Sequence, residues 1–247
     1  MKAREVLGVD IGGTGMKAAI IDCKTGELLS ERFRIDTPQP ATPAAMAEVF
    51  KALIDHFNWK GKIGCGFPAV IDKGIALTAG NIDKSWIGTN AQELFSKAIN
   101  QDVLVLNDAD AAGIAEIKLG AGKKTKGVVL LLTIGTGIGS ALFLDGKLVP
   151  NTEFGHTHFK GDVAERYAAT SAKKRENLSW DVWGKRLNEY LAYMERLFVL
   201  DLIILSGGVS KPGKYEQFSQ YLKPRSKMVR AMFFNNAGII GAALAAR

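Results

Sequence analysis

The sequence predicts an α/β fold in which one β-hairpin-led mixed sheet is used twice. Two related segments carry that prediction: Leu7-Gly-Val-Asp-Ile-Gly-Gly-Thr-Gly-Met-Lys17 and Leu131-Leu-Thr-Ile-Gly-Thr-Gly-Ile-Gly139. Each is an apolar run, one polar residue (Asp10 or Thr133), a glycine-rich turn and a second apolar run, which is the pattern of a hairpin. The two lie about half a chain apart, as an internal duplication requires. Further apolar runs alternate with helical periodicity after each hairpin, and 247 residues leave room for two lobes or one large α/β domain.

In order along the chain, strands are expected near 5–10, 16–22 and 27–34. The proline-rich connection Thr37-Pro-Gln-Pro-Ala-Thr-Pro43 leads into a helix over roughly 44–57 by its apolar spacing. Lys62-Ile-Gly-Cys-Gly-Phe67 reads as a buried strand, and a loop through Ala79-Gly-Asn-Ile-Asp-Lys-Ser-Trp86 follows it. A helix over 91–100, the strand Val103-Leu-Val-Leu106 and a small-residue helix from Ala111 to Leu119 complete the first half. The second half opens on Gly127-Val-Val-Leu-Leu-Leu-Thr133 and its hairpin. It continues with a helix from Ser179 to Phe198 and the buried strand Leu202-Ile-Ile-Leu205, and closes on a small-residue helix over 235–246.

Composition narrows the function classes. Hydrophobic content of 47% with 23% charge is that of a globular protein. No apolar stretch reaches the ~18 residues that span a bilayer. Met1-Lys-Ala-Arg-Glu leads straight into a strand without an apolar leader, so no membrane partner and a cytoplasmic location are expected. Cys23 and Cys65 form neither a disulfide framework nor a CxxC motif and are expected to pack as small apolar residues. A net charge of +7 favours an anionic partner, and the basic residues gather at Lys123-Lys-Thr-Lys126, Lys173-Lys-Arg175, Lys185-Arg186, Lys211 to Lys214 and Lys223-Pro-Arg-Ser-Lys227. Without aromatic–basic interleaving or a helix-turn-helix segment, nucleic acid is not the expected anion.

Three strand-to-glycine turns point to phosphate, because backbone N–H groups with no side chain in the way bind anions. They are Gly12-Gly13-Thr14, the segment Thr133-Ile-Gly135-Thr136-Gly137, and Gly207-Gly208 behind Ser206. Asp10, at the end of the first strand, suits a hydrated Mg²⁺ beside phosphates, although a turn cap is the plainer alternative. Lys17 either neutralises phosphate charge or faces solvent. Asp108 stands where α/β sheets place their sites, at a strand's C-terminal end, and a carboxylate there takes the proton of a hydroxyl that attacks phosphorus. Asp110 competes for that role, but an acid in a helix's first turn is favoured anyway. Asn81, Asp83, Asn107, Glu153 and His156 are loop residues whose carboxylates, amides and imidazole suit adjacent sugar hydroxyls. His156 and His158 lack the further ligands that a metal site needs, and Trp59 and Trp86 read as core or lid aromatics.

Together these residues resemble the ROK family (repressor, open reading frame, kinase), of the actin-like, ribonuclease H-like sugar-kinase fold. Asp10-Ile-Gly-Gly-Thr14, Asn107-Asp108, Gly135-Thr-Gly-Ile-Gly139, Glu153-x-Gly-His156 and Gly207-Gly208 stand in the family's order and cover nearly the whole chain. Thr37-Pro-Gln-Pro-Ala-Thr-Pro43, Asn81-Ile-Asp-Lys-Ser-Trp-Ile-Gly-Thr-Asn90, Asn107-Asp-Ala-Asp-Ala-Ala-Gly113 and Pro150-Asn-Thr-Glu-Phe-Gly-His156 are similar to its polyphosphate glucokinase branch in particular, which includes polyphosphate/ATP-glucomannokinases.

The resemblance implies a two-lobed kinase, with a smaller lobe over 1–110, a larger one over 111–234, and a C-terminal helix, 235–247, returning to the first. It implies transfer of a phosphoryl group from inorganic polyphosphate, and from ATP, to the 6-hydroxyl of glucose, with Asp108 as base. Asn81, Asp83, Asn107, Glu153 and His156 would bind glucose, with Gly74 adding backbone. The turns at Gly12, Gly13 and Thr14, at Thr133, Gly135, Thr136 and Gly137, and at Gly207 and Gly208, with Lys17, would hold donor phosphates. Asp10 would hold Mg²⁺ through water, and a homodimer is implied. An ATP-only glucokinase or glucomannokinase, and a non-catalytic sugar sensor, remain the alternatives. One departure matters: where typical members continue Glu-x-Gly-His with a cysteine-rich zinc segment, this chain has Thr157-His-Phe-Lys-Gly-Asp-Val-Ala and no cysteine after Cys65. Zinc is therefore not expected. Nor is the repressors' N-terminal DNA-binding module, since Asp10 lies so near the start.

Overall fold

A computed structural model describes residues 4–247. β1 (Glu5–Gly12) and β2 (Gly15–Asp22) form the first hairpin, with Asp10 opposite Lys17 and Gly12 opposite Gly15. β3 (Phe33–Ile35) pairs with β2, so the strand expected over 27–34 forms only in part. Leu28 bridges Ile21, but the Ser30 hydroxyl accepts the Ile20 N–H at 3.0 Å. A side chain thus replaces the ladder's carbonyl, and the chain rejoins the sheet only at Phe33. α1 (Pro43–His56) starts as its sequence demands, with Thr42 Oγ1 accepting the Ala45 N–H and proline in the first turn.

β4 (Ile63–Phe67) runs parallel to β1, and a small hairpin, β5 (Ile71–Asp72) and β6 (Ile75–Ala76), follows. After α2 (Ala91–Ile99), β7 (Val103–Asn107) joins β4 in parallel. α3 (Asp108–Lys118) begins three residues earlier than its small residues suggest. The reason is Asn107: its Oδ1 accepts the N–H groups of Ala109 and Asp110 at 2.9 and 3.0 Å, which caps the helix.

β8 (Val128–Ile134), β9 (Ile138–Leu144) and β10 (Lys147–Val149) form the second antiparallel set. A short hairpin, β11 (His158–Phe159) and β12 (Asp162–Val163), leads into α4 (Ala164–Ala168), α5 (Thr170–Arg175) and α6 (Trp180–Leu197). β13 (Leu202–Ser206) lies parallel to β8. α7 (Tyr215–Phe218), β14 (Lys227–Arg230) and α8 (Ala237–Ala246) end the chain. Residues up to Ala115 together with Asn236–Arg247 form one compact unit, and Glu116–Asn235 form the other. Their sheets share one topology, β3-β2-β1-β4-β7 in the first and β10-β9-β8-β13-β14 in the second.

The first sheet is covered on both faces. Phe50 stacks on Phe95 at 4.3 Å and Phe67 packs on Trp86 at 4.6 Å, while the Trp86 indole N–H donates to the Ala41 carbonyl at 2.9 Å. Trp59 and Trp86 are therefore core residues. On the other face α8 meets the strands backbone to backbone: a Cβ at Gly64 would lie 1.9 Å from the Ala242 carbonyl oxygen, and one at Gly8 2.1 Å from that of Ile239. In the second unit Trp183, Leu187, Tyr190, Leu191 and Met194 form the buried stripe of α6. Cys23 and Cys65 are both buried, and burial together with the nearby Asp10 charge pushes the Cys65 thiol well up, so it packs as a neutral group. No helix among the described residues is long and apolar enough to cross a membrane.

Candidate active site

The first unit places its candidate residues on the ends of three neighbouring strands. Asp10 pairs in register with Gly66 of β4, and Phe67 with Asn107 of β7, so β4 separates Asp10 from Asp108. Two strand spacings put roughly 10 Å between those backbones. A Cβ at Gly66 would stand 3.5 Å from the Asp108 Cα, so glycine keeps the floor between the two carboxylates low. Lys17 Nζ lies 3.2 Å from Asp10 Oδ2, and the first turn of α8 packs against the same carboxylate at Gly238. Asp108 opens α3, and its Oδ1 accepts the Ala109 N–H at 2.8 Å, which fixes the carboxyl at the strand end.

The turn at Gly12, Gly13 and Thr14 is held by a strap made of Arg34, in β3, and Thr37, which opens the proline-rich connection. Thr37 Oγ1 donates to the Gly12 carbonyl at 2.6 Å, and Arg34 donates to that of Thr14 at 2.8 Å. With its carbonyls turned to this strap, the turn keeps its N–H groups for an anion. Gly13 also lies against the Asn81 backbone, so the loop carrying Asn81 borders the turn.

Three other candidates are more committed. Asn107 is buried, and besides capping α3 it donates from Nδ2 to the Ala69 carbonyl at 3.1 Å. Asp83 Oδ1 accepts from the Ser85 N–H and hydroxyl at 2.8 and 2.5 Å, bonds that lower its pKa and cap the helical turn Lys84–Trp86. Gly74 sits in the β5–β6 turn at φ +83°, its carbonyl accepting the Gln92 N–H.

In the second unit, the β8–β9 turn and the β13 end lie side by side, with Thr133 paired to Ser206. Gly207 is at φ +81° and abuts the backbone of Ile134, where a Cβ would come 2.6 Å from the carbonyl oxygen. Only glycine brings the Gly207-Gly208 turn this close to Gly135, Thr136 and Gly137. Thr170 donates both its N–H, at 2.9 Å, and its Oγ1, at 2.6 Å, to the Gly135 carbonyl, and the Gly135 N–H donates to the Gly137 carbonyl at 2.9 Å, which leaves the N–H groups of Thr136 and Gly137 for an anion.

Glu153 and His156 flank a helical turn that rests on β9 through Ser140 Oγ and the Phe154 N–H, 3.0 Å apart. His156 Nδ1 lies 3.2 Å from Glu153 Oε2, and its Nε2 lies 3.6 Å from Glu165 Oε1. The other Glu165 oxygen accepts the Ile138 N–H at 3.1 Å, so this one side chain links the imidazole to the base of the glycine turn. Burial raises the Glu153 pKa, the Glu165 charge adds to that, and His156 opposes it. Glu165 was missed from sequence because a lone Glu nine residues beyond His156 belongs to no recognisable spacing.

Among the described residues no group of three or more His, Cys, Asp and Glu gathers as a metal cage. A lone carboxylate such as Asp10 instead suits Mg²⁺, which keeps most of its waters and takes one or two carboxylates plus phosphates.

Residues 6–166 match the model of the ROK family. The chain belongs to the ROK family. It is 44% identical to a polyphosphate glucokinase of Mycobacterium tuberculosis over 98% of this chain and 91% of that protein. It is 45% identical to one from Mycobacterium leprae over 96% of this chain and 73% of that protein. Among solved structures, the inorganic polyphosphate/ATP-glucomannokinase of Arthrobacter sp. strain KM superposes with a TM-score of 0.93 at 44% identity, covering 98% and 97% of the two chains. A ROK family glucokinase from Streptomyces griseus, in complex with glucose and AMPPNP, superposes with a TM-score of 0.83 at 25% identity, over 98% and 99%. The duplicated sheet is thus the actin-like fold of the ROK sugar kinases.

Proposed function

We propose that this protein transfers the terminal phosphoryl group of inorganic polyphosphate, and of ATP, to the 6-hydroxyl of glucose, giving glucose 6-phosphate. The observation that carries the reading is the match over nearly the full length of both chains to polyphosphate glucokinase and polyphosphate/ATP-glucomannokinase. The residues present suit that chemistry. Asp108 accepts the O6 proton as oxygen attacks the terminal phosphorus, the donor's bond to that phosphorus breaks, and the remaining chain leaves one phosphate shorter.

Glu153 and His156 orient the sugar through its hydroxyls, with Asn81 and the remaining Asn107 N–H as further partners. The Gly12–Thr14, Gly135–Gly137 and Gly207–Gly208 turns offset the charge on the transferring group, from which most of the rate derives. Mg²⁺ held through water on Asp10 would neutralise donor phosphate charge, with Lys17 as a second positive group. In this reading the enzyme works in the cytoplasm as a homodimer, and neither membrane nor nucleic acid is a partner.

A donor restricted to ATP is the second reading, favoured by the likeness to the glucokinase that carries AMPPNP. The deciding experiment measures sugar phosphate formed from glucose with Mg²⁺ and either long-chain polyphosphate or ATP. Turnover with polyphosphate supports the proposal, turnover with ATP alone moves to the second reading, and none with either leaves a sugar-binding sensor.

A further inference from the structure

α5 starts on the second unit's glycine turn, where Thr170 holds the Gly135 carbonyl, and six residues, about 9 Å of helix, carry the chain to Lys173-Lys-Arg175. Arg175 then lines a cavity of about 400 Å³ with Phe159, Lys160, Asp162, Arg166 and Tyr167. Its guanidinium donates to the Arg166 carbonyl at 2.6 Å, which ties the end of α5 to α4. Three cations and one carboxylate therefore face this space, and two more lysines stand on the helix between it and the turn.

Each of the three cations has an acidic neighbour: Lys160 with Glu189 at 2.8 Å, Arg166 with Asp162 at 3.4 Å, and Arg175 with Glu176 at 2.7 Å. These side chains are exposed by a third or more, and such pairs hold weakly in water. A ligand with a negative charge on every unit displaces them. The rings nearby are engaged by cations, Trp180 by Lys173 at 4.4 Å and Tyr167 by Arg186 at 4.8 Å. The face thus selects by charge rather than by stacking a base.

Resting on the polyphosphate-donor reading above, we infer that the face running from Gly135 along α5 into the Lys160–Arg166–Arg175 cavity holds the trailing phosphates of a long inorganic polyphosphate whose terminal phosphate lies at the donor turns. A three-phosphate donor ends before it. Of the five basic clusters in the sequence this assigns one, Lys173-Lys-Arg175, to a polyanion track, and it adds Lys160 and Arg166, which lie in none of them.

The test compares binding of end-labelled long-chain polyphosphate with that of tripolyphosphate in the wild type and in the double variant Lys160→Asn, Arg166→Gln. Asparagine suits position 160, where φ is +55°. Long-chain affinity should fall about tenfold or more with a shallower salt dependence, as for any polyanion that loses cationic contacts, while tripolyphosphate binding holds. Lys174→Gln should act in the same direction more weakly, and Arg166→Lys should retain binding.

Unchanged long-chain affinity, equal weakening for both ligands, or no long-chain binding by the wild type would overturn the assignment. Because binding is read apart from turnover, a wild type that binds long chains through these residues but forms no sugar phosphate from them would keep the track and reject the donor reading.

Discussion

At the tip of the first hairpin the ladder closes on Gly12 and Gly15 with two residues between, whereas the second closes on Ile134 and Ile138 with three. The residues at the matching strand positions differ in kind. The first has an ion pair across the ladder, Asp10 and Lys17, where the second has Thr133 opposite Gly139. The strand two places further along each sheet repeats the contrast. β7 runs into Asn107 and the carboxylate Asp108, while β14 runs into Ala231-Met-Phe-Phe-Asn-Asn236, with no acid.

In both units a hydroxyl from outside the hairpin, Thr37 or Thr170, turns the glycine carbonyls away from the anion face. Duplication kept the cradle and its mode of support. The acids proposed to hold the metal and to accept the proton stand in the first unit, and the Glu–His pair proposed for the sugar and the proposed basic track in the second.

The contrast breaks most severely at Gly64. The matching place in the second sheet holds Ile204, a fully buried side chain, where Gly64 has the backbone of α8 against it. Gly64→Ala should cost about 3 kcal/mol or more by forcing α8 off the sheet, an unfolding midpoint about 6–12 °C lower. A midpoint within 2 °C or so of wild type would mean that the close approach is not needed.

Removing the strap's hydroxyl sharpens the parallel between the turns. Thr37→Val leaves the Gly12 carbonyl without its 2.6 Å partner, a loss of about 1–2 kcal/mol that should raise the donor KM roughly five- to thirtyfold. Thr37→Ser should restore it, and the glucose KM should stay level. A rise in the glucose KM instead would place the strap's role elsewhere.

The smallest effect on stability concerns Glu153. A carboxyl held up by burial keeps its proton longer in the folded chain, so its contribution is fully present below the ordinary value of 4.5 and is lost as pH rises through the raised one. Glu153→Gln should therefore match wild type in acid and unfold slightly later at neutral pH, while the glucose KM rises about tenfold or more. A variant less stable than wild type at neutral pH would contradict the cause given for the shift.

Much of this was legible in the chain. Apolar runs ending in glycine announce both hairpins, and β4 and β13 show as short continuous apolar segments. β14 did not show, because Lys227-Met-Val-Arg230 holds two apolar residues between charges and becomes a strand only beside β13. The strand over 27–34 read too long because a hydroxyl's capture of a ladder N–H, at Ser30, leaves no periodic mark.

The candidate motif residues were readable because each belongs to a turn or a strand end that the local sequence marks. Glu165 and Thr37 were not, since their roles come from what the fold sets against them. Sequence also gave Asp83 and Asn107 as polar loop residues without revealing that much of their hydrogen-bonding capacity is spent on caps.

The central claim is that the acid at the β7 end of the first unit does the proton transfer. It is tested most directly by kcat for glucose phosphorylation in Asp108→Asn, with glucose affinity and the unfolding midpoint measured on the same protein. The account predicts a fall in kcat of about 10²–10⁴ with folding intact and glucose still bound. A variant that turns over near the wild-type rate would contradict it.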